Sequence, residues 1–189
     1  YDTRRWRIQS LTRDNQGNVW AGVYQTGLFV LPAAMFGFEY SAFNPDNPSS
    51  ESSECIRSIL VDGSGVLWAG TDGYGIIRTF PDGRREYLST GNSSLPSNSI
   101  SSMVQDSRGT IWLSSSDKGL ISFRDGRFSL FSGQDAVGTK RCGQLYYDKP
   151  RDYLYLGTSG NGFSIIDASD GEVLRTVCDD FSKWNTAFT

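Results

Sequence analysis

Histidine is absent from all 189 residues. That removes the side chain most often used for general acid–base catalysis near neutral pH, and the commonest metal ligand. Cysteine is scarce: Cys55, Cys142 and Cys178 form no Cys-x-x-Cys pair, so neither a zinc knuckle nor a dithiol redox motif is written here. An odd count leaves at least one thiol unpaired within the chain, and cysteine usage does not decide the compartment. Cys55, at the start of an expected strand, reads as a small buried hydrophobe, and Cys142 stands at nearly the corresponding place further on. Long apolar runs are missing too. The longest, 27–37, contains a proline and falls far short of the roughly 20 residues a spanning helix needs. Nor is there an excess of positive charge: 18 basic residues face 21 acidic ones, the pI is about 5.0, and no basic stripe interleaves with aromatics. This charge balance argues against a nucleic-acid or anionic-membrane partner. The basic pairs at Arg4-Arg5, Arg84-Arg85 and Lys140-Arg141 have acidic residues nearby and read as solvated surface. With no signal sequence and no initiator methionine, the chain reads as a piece of something longer.

What is present is a repeat. An aromatic residue is followed seven places later by glycine at Trp20/Gly27, Trp68/Gly75, Trp112/Gly119 and Tyr155/Gly162. The aromatics recur 48, 44 and 43 residues apart, within the range of roughly 40–50 in which four strands make one β-propeller blade. A branched or apolar residue stands twelve before each tryptophan (Ile8, Ile56, Ile100) and another nine before it (Leu11, Ile59, Met103). Between them comes Asp-x-x-Gly, as Asp14 to Gly17, Asp62 to Gly65 and Asp106 to Gly109. Asp opens a type I turn through its side-chain oxygen and Gly takes the positive φ that closes it. In the fourth copy, Asp148-Lys149-Pro150-Arg151-Asp152 is one residue longer and lacks that glycine, which predicts a wider turn.

Each copy reads as strand, tight turn, strand, short turn, strand, loop, strand. In the second the strands are expected over 55–61, 66–71, 75–80 and 85–88, and in the third over 100–104, 110–114, 119–123 and 127–131. No helix is expected. The fold class is therefore all-β: about four four-stranded antiparallel blades over 8–43, 55–90, 99–132 and 142–178, a partial propeller in which 179–189 begins a further blade. A repeat buries its flat faces only against neighbours, so an open arc of four is expected to close tightly or to pair end to end with a second copy as a homodimer.

No catalytic constellation is legible. The serines of Ser114-Ser115-Ser116 and Ser49-Ser50-Glu51-Ser52-Ser53 have no base beyond Lys118, two residues after the first group, and read as loop residues. Asp179-Asp180 and the turn aspartates offer carboxylates, but Asp14, Asp62 and Asp106 recur because each blade needs the same corner, and one Asp-x-x-Gly supplies too few oxygens for calcium. Neither metal nor cofactor is expected. Trp20, Trp68 and Trp112 read as plates filling the space between blades.

The run Ile56-Arg57-Ser58-Ile59-Leu60-Val61-Asp62 leading to Gly65-Val66-Leu67-Trp68-Ala69-Gly70-Thr71 resembles the two-component regulator propeller repeat. So does Leu95-Pro96-Ser97-Asn98-Ser99-Ile100-Ser101-Ser102-Met103 leading to Asp106, with the Leu-Pro-x-Asn lead-in found in that family. The resemblance covers about 8–178 and degenerates in the fourth copy, where Tyr155 replaces tryptophan. It implies the periplasmic sensor region of a hybrid two-component system of the kind abundant in Bacteroides-type bacteria. By that resemblance the whole protein would carry two seven-bladed propellers, an immunoglobulin-like module, one membrane-spanning helix and cytoplasmic histidine kinase and response-regulator parts, so that membrane contact is made only by parts outside these residues. It also implies a glycan-derived oligosaccharide as ligand. Loops between second and third strands, and between blades, emerge on one face. They nominate Tyr24, Gln25, Asp72, Tyr74, Asp117, Lys118 and Asn161, with Arg141 and Trp6 near inter-blade junctions. Tyr74 with Asp72 is the preferred pair, an aromatic platform beside a carboxylate, while the Ser-, Pro- and Asn-rich linker 44–54 reads as a flexible loop. Two other readings stand beside it: a non-catalytic protein-interaction scaffold, and an enzyme like the streptogramin lyases, whose similar repeats carry a chemistry that leans on histidine.

Overall fold

The computed structural model describes residues 7–25, 27–33, 39–41 and 55–177. Trp6, the Arg4-Arg5 pair, the 44–54 linker, Cys178 and 179–189 lie outside the described residues. Among the described residues, sixteen strands form four sheets, each an antiparallel meander in chain order. The first holds β1 (Ile8–Arg13), β2 (Val19–Val23), β3 (Gly27–Leu31) and β4 (Glu39–Ser41). The second holds β5 (Ile56–Val61), β6 (Leu67–Thr71), β7 (Ile76–Thr79) and β8 (Arg85–Leu88). The third holds β9 (Ile100–Gln105), β10 (Ile111–Ser115), β11 (Gly119–Arg124) and β12 (Arg127–Leu130), and the fourth β13 (Cys142–Asp148), β14 (Tyr153–Thr158), β15 (Phe163–Asp167) and β16 (Val173–Val177). First strands of successive sheets lie against one another, β1 on β5, β5 on β9 and β9 on β13, so they are the inner strands around a common axis.

Turn chemistry sets this register. Gly17, Gly65 and Gly109 take φ of +89°, +78° and +84°, and each donates its N–H to the carbonyl of the aspartate three residues earlier, at 3.1, 2.9 and 3.2 Å. In the fourth sheet the longer turn is closed instead by Asp152 at φ +58°. The Arg124–Arg127 pair encloses Asp125 and Gly126, both at positive φ, the two-residue hairpin turn that matches strand twist. One element departs from the expectation of no helix: α1 (Gln134–Val137) forms a single turn in the linker between the third and fourth sheets. Four residues are too few to show a 3.6-residue period, so the sequence pattern carries no sign of it. The column expected for Cys142 also shifts. It pairs with Thr158 as Ile56 pairs with Thr71, so it occupies the isoleucine column and not that of Cys55. The extra turn residue accounts for the offset.

The core lies between sheets. Trp68 is fully buried among Ile76 of its own sheet and Ile100, Met103, Leu113 and Ile121 of the next, with Phe123 edge-on at 5.0 Å. Trp112 packs with Leu145, Leu154 and Leu156 of the fourth sheet, and with Phe131 at 6.1 Å. Glycines two places after tryptophan make room for this. A Cβ on Gly70 would stand 2.8 Å from the Ile100 side chain, and one on Gly22 would stand 2.9 Å from that of Ile56. Where no sheet precedes among the described residues, the same columns are open: Ile8 is 51% and Leu11 62% exposed, against 0% for Ile56 and Ile100.

Candidate functional site

A meander that starts at the axis sends the turns between second and third strands, and the linkers between sheets, to one face. The turns between first and second strands and between third and fourth go to the other. On the first face the second and third blades are joined by a lattice of short polar side chains. The Asp72 carboxylate accepts from the Arg57 guanidinium at 3.0 Å and from the Ser99 hydroxyl at 2.6 Å. Ser116 Oγ lies 3.0 Å from Ser99 Oγ, and the Ser97 hydroxyl donates to Asp117 at 2.6 Å. The backbone fixes this placement: Asp72 and Ser99 form an isolated antiparallel bridge, and the Asn98 carbonyl accepts from both Gly73 N–H (3.0 Å) and Gly75 N–H (2.8 Å). The Ser99 hydroxyl and, after it, the Arg57 guanidinium hold the Asp72 carboxyl below its ordinary value of 3.8, against the opposing effect of burial. Asp72 is thus a fixed negative charge, and its side chain remains 42% exposed.

The sequence-nominated residues divide here. Asp72 and Asp117 are brought into one lattice, with Tyr74, 47% exposed, and Lys118 at its edges. Tyr24 and Gln25 occupy the matching turn of the first blade, Gln25 at φ +55°. Asn161 serves the scaffold instead, because its amide donates to the Val137 carbonyl at 2.7 Å and so pins the α1 linker to the fourth blade. Arg141 lies in the same linker, and its carbonyl accepts from Ser159 N–H at 2.9 Å. Arg57, Ser97, Ser99 and Ser116 are members of the lattice that residue type alone does not nominate. The Ser-Asn-Ser spacing of 97–99 is the available signal, since alternate side chains of an extended segment project the same way.

Two segments, 50–73 and 94–117, match the two-component regulator propeller model. The second and third blades each hold one match to that repeat. The matched residues include the inner strand, turn and tryptophan strand of the second and third blades, and the 94–99 linker that brings Ser97 and Ser99 to the lattice. Among solved structures, the chain is similar to the extracellular domain ascribed to the hybrid two-component system BT3049 of B. thetaiotaomicron, with TM-score 0.72 and 22% identity over 88% of this chain and 22% of that one. It is similar also to that of BT4673 from the same organism, with TM-score 0.62 and 17% identity over 95% of this chain and 29% of that one. A third is the β-propeller domain of Cps50 (Swd1) from Myceliophteria thermophila, with TM-score 0.67 and 15% identity over 92% and 60%. The chain thus spans less than a third of the two bacterial neighbours, and identities this low establish a shared fold. None of the curated proteins matches it.

The opposite face shows what the repeat motif does physically. In each of the first three propeller repeats the aspartate and tryptophan columns touch: the indole Nε1–H donates to the carboxylate at 2.9 Å (Trp20 to Asp14), 2.8 Å (Trp68 to Asp62) and 3.0 Å (Trp112 to Asp106). The other carboxylate oxygen accepts the turn N–H groups, from Ser64 and Val66 in the second repeat. In the degenerate fourth repeat, Tyr155 has no indole, and Asp148 accepts from Arg151 at 2.7 Å instead. Neighbouring repeats are also stapled. The residue before the aspartate reaches back to the N–H that follows the previous aspartate, Gln105 to Gly63 at 2.7 Å and Tyr147 to Ser107 at 3.1 Å. Arg108 adds an ion pair to Asp152 at 2.5 Å, and Tyr147 donates to the same carboxylate at 2.7 Å.

Arg108 and then Tyr147 hold the Asp152 carboxyl below its ordinary value of 3.8. A depressed carboxyl stabilises the fold above its unfolded-state value, and that contribution is lost as pH falls through the folded-state value. Asp72 acts with the same sign. The urea midpoint is therefore expected to fall on going from about pH 6 to about pH 3, and to fall less in Asp152→Asn. Equal acid sensitivity in the variant would show that this ion pair is not formed in solution.

Proposed function

We propose that this chain is the ligand-reading propeller of an extracytoplasmic sensor in a hybrid two-component system, and that it recognises a glycan-derived oligosaccharide without catalysing a reaction. The observation that carries the reading is the lattice of Asp72, Arg57, Ser99 and Ser116, with Ser97 and Asp117, exposed across two blades beside Tyr74. Sugars are bound by an aromatic platform plus fixed carboxylate, hydroxyl and guanidinium partners, and a lattice already ordered by its own hydrogen bonds spends little entropy when a ligand arrives. The repeat and the neighbours ascribed to two-component systems support a sensor role outside the cytoplasm, in which the signal passes to a histidine kinase elsewhere in the protein. Among the described residues no helix is long and apolar enough to cross a membrane.

A second reading has its own observation. The lattice is open, with Arg57 and Asp72 side chains 41% and 42% exposed, and a flat polar surface of this kind also suits a protein partner. Thermal shift against neutral and acidic oligosaccharides separates the two. A ligand at about a hundred times its Kd adds roughly 2.7 kcal/mol of stability, so a selective rise in Tm that disappears in Tyr74→Ala is expected. No rise with any sugar would overturn the glycan reading in favour of the scaffold.

A further inference from the structure

The tryptophan plates are not equally covered. Trp68 is shielded by Phe123 of the next blade at 5.0 Å and Trp112 by Phe131 at 6.1 Å, leaving them 0% and 7% exposed. Trp20 is only half-buried. The register accounts for Trp20 against Trp68, while Trp112 faces Ile166 at that position and takes its ring contact from Phe131 of its own blade. Phe123 pairs with Ile111 as Thr79 pairs with Leu67, so the position that presents a phenyl ring to Trp68 presents a threonine to Trp20. A cleft of about 290 Å³ opens at this seam between the first and second blades, and one of about 300 Å³ opens at the next seam, where Phe123 covers the indole of Trp68 and leaves it buried. Trp20 and Thr79 line the first cleft, with Phe80 and Pro81 on one side and the amides of Asn15 and Gln16 on the other.

We propose that this cleft is a binding site for a single neutral sugar ring, on the face opposite the Asp72 lattice and independent of the reading given to that lattice. An uncovered indole gives a flat apolar platform for the C–H face of a pyranose, and the rim amides suit its hydroxyl edge. The size sits at the lower end of ligand pockets, roughly 300–1,000 Å³, which limits the occupant to about one ring. Charge sets the preference for a neutral one. Asp14 beside the platform has both oxygens taken, Oδ1 by the Gln16 and Asn18 N–H groups and Oδ2 by the Trp20 indole and the Asn18 amide. It therefore offers no acceptor site to the ligand, and its negative charge disfavours an acidic sugar.

The test uses the chain labelled with 5-fluorotryptophan, with the Trp20 fluorine resonance assigned by its loss in Trp20→Phe. Methyl β-glucopyranoside and methyl β-galactopyranoside are titrated in, with glucuronate alongside. At least one neutral glycoside is expected to move the Trp20 resonance, with an affinity on the order of millimolar. Thr79→Phe, which copies the third blade, should abolish that response and leave the other tryptophan resonances dispersed. Arg57→Ala, on the other face, should leave it intact. A Trp20 resonance unmoved by both neutral glycosides, or a response that survives Thr79→Phe, overturns the site. An equal response to glucuronate overturns the preference for a neutral ring.

Discussion

Trp68→Ala is expected to lower stability by about 3–5 kcal/mol, the cost of removing a large buried ring from a core that refills only in part. At about 2–4 °C per kcal/mol for a chain of this size, the melting temperature should drop by roughly ten degrees. The loss has two sources that a second variant separates. Truncation removes the plate between Ile76 and the Ile100, Met103 and Leu113 side of the next blade, and also the donor to a carboxylate that is itself buried. Trp68→Phe keeps most of the plate and loses the donor, and should cost about 1–3 kcal/mol, the usual penalty for a buried polar group left without its partner. Trp20→Ala, at a half-buried position that faces Thr79 where Trp68 faces Phe123, should cost visibly less than Trp68→Ala. Equal losses at Trp20 and Trp68 would mean that the two seams are packed alike.

Gly75→Ala is the second large effect. Gly75 takes φ +85°, where an L side chain is strained, and a Cβ there would overlap the Leu88 carbonyl oxygen, backbone that cannot swing away. Left-handed strain alone costs about 1–2 kcal/mol. With the overlap added, the expected loss is about 3 kcal/mol or more. Gly73→Ala is the internal control: its φ is +106°, but nothing stands within 4 Å of the new methyl, so strain acts alone. Chemical denaturation of the pair reads the difference directly, and a Gly75 variant no worse than the Gly73 variant would show that the fourth strand does not cross there.

The glycine seven places after each aromatic is legible in the sequence as a pattern, but its reason is not. The column needs positive φ in every blade, +114° at Gly27, +85° at Gly75, +86° at Gly119 and +63° at Gly162. At Gly75 the end of the outer strand, Leu88, also lies directly over the glycine, and at Gly119 the Gln134 side chain from the α1 linker does. The path of a linker is non-local and leaves no mark at the position it crosses. The aspartate and tryptophan columns read separately, as a corner and a plate. Their contact six residues apart depends on the hairpin folding the indole back over the turn. Strands, turns and blade order follow from local chemistry and so are readable from the repeat. The candidate site is half readable. Asp72 and Asp117 stand out by residue type on predicted loops, whereas Ser97, Ser99 and Arg57 acquire meaning only through the bridge that sets Ser99 beside Asp72. Asn161 shows the converse: a polar loop residue with the look of a ligand contact is held by the α1 linker.

The staples that reach from Gln105 to Gly63 and from Tyr147 to Ser107 sit one residue before an aspartate, and in the second blade that residue is Val61, whose side chain has no acceptor. The blades are therefore riveted unevenly. Under load or in mild denaturant, the joint between blades one and two should be the first to part, ahead of the two riveted joints. Amide protons along β1 and β2 would then exchange through peeling of a single blade while the remaining three stay closed. The same joint holds the uncovered Trp20, so a ligand seated there would act as the missing rivet.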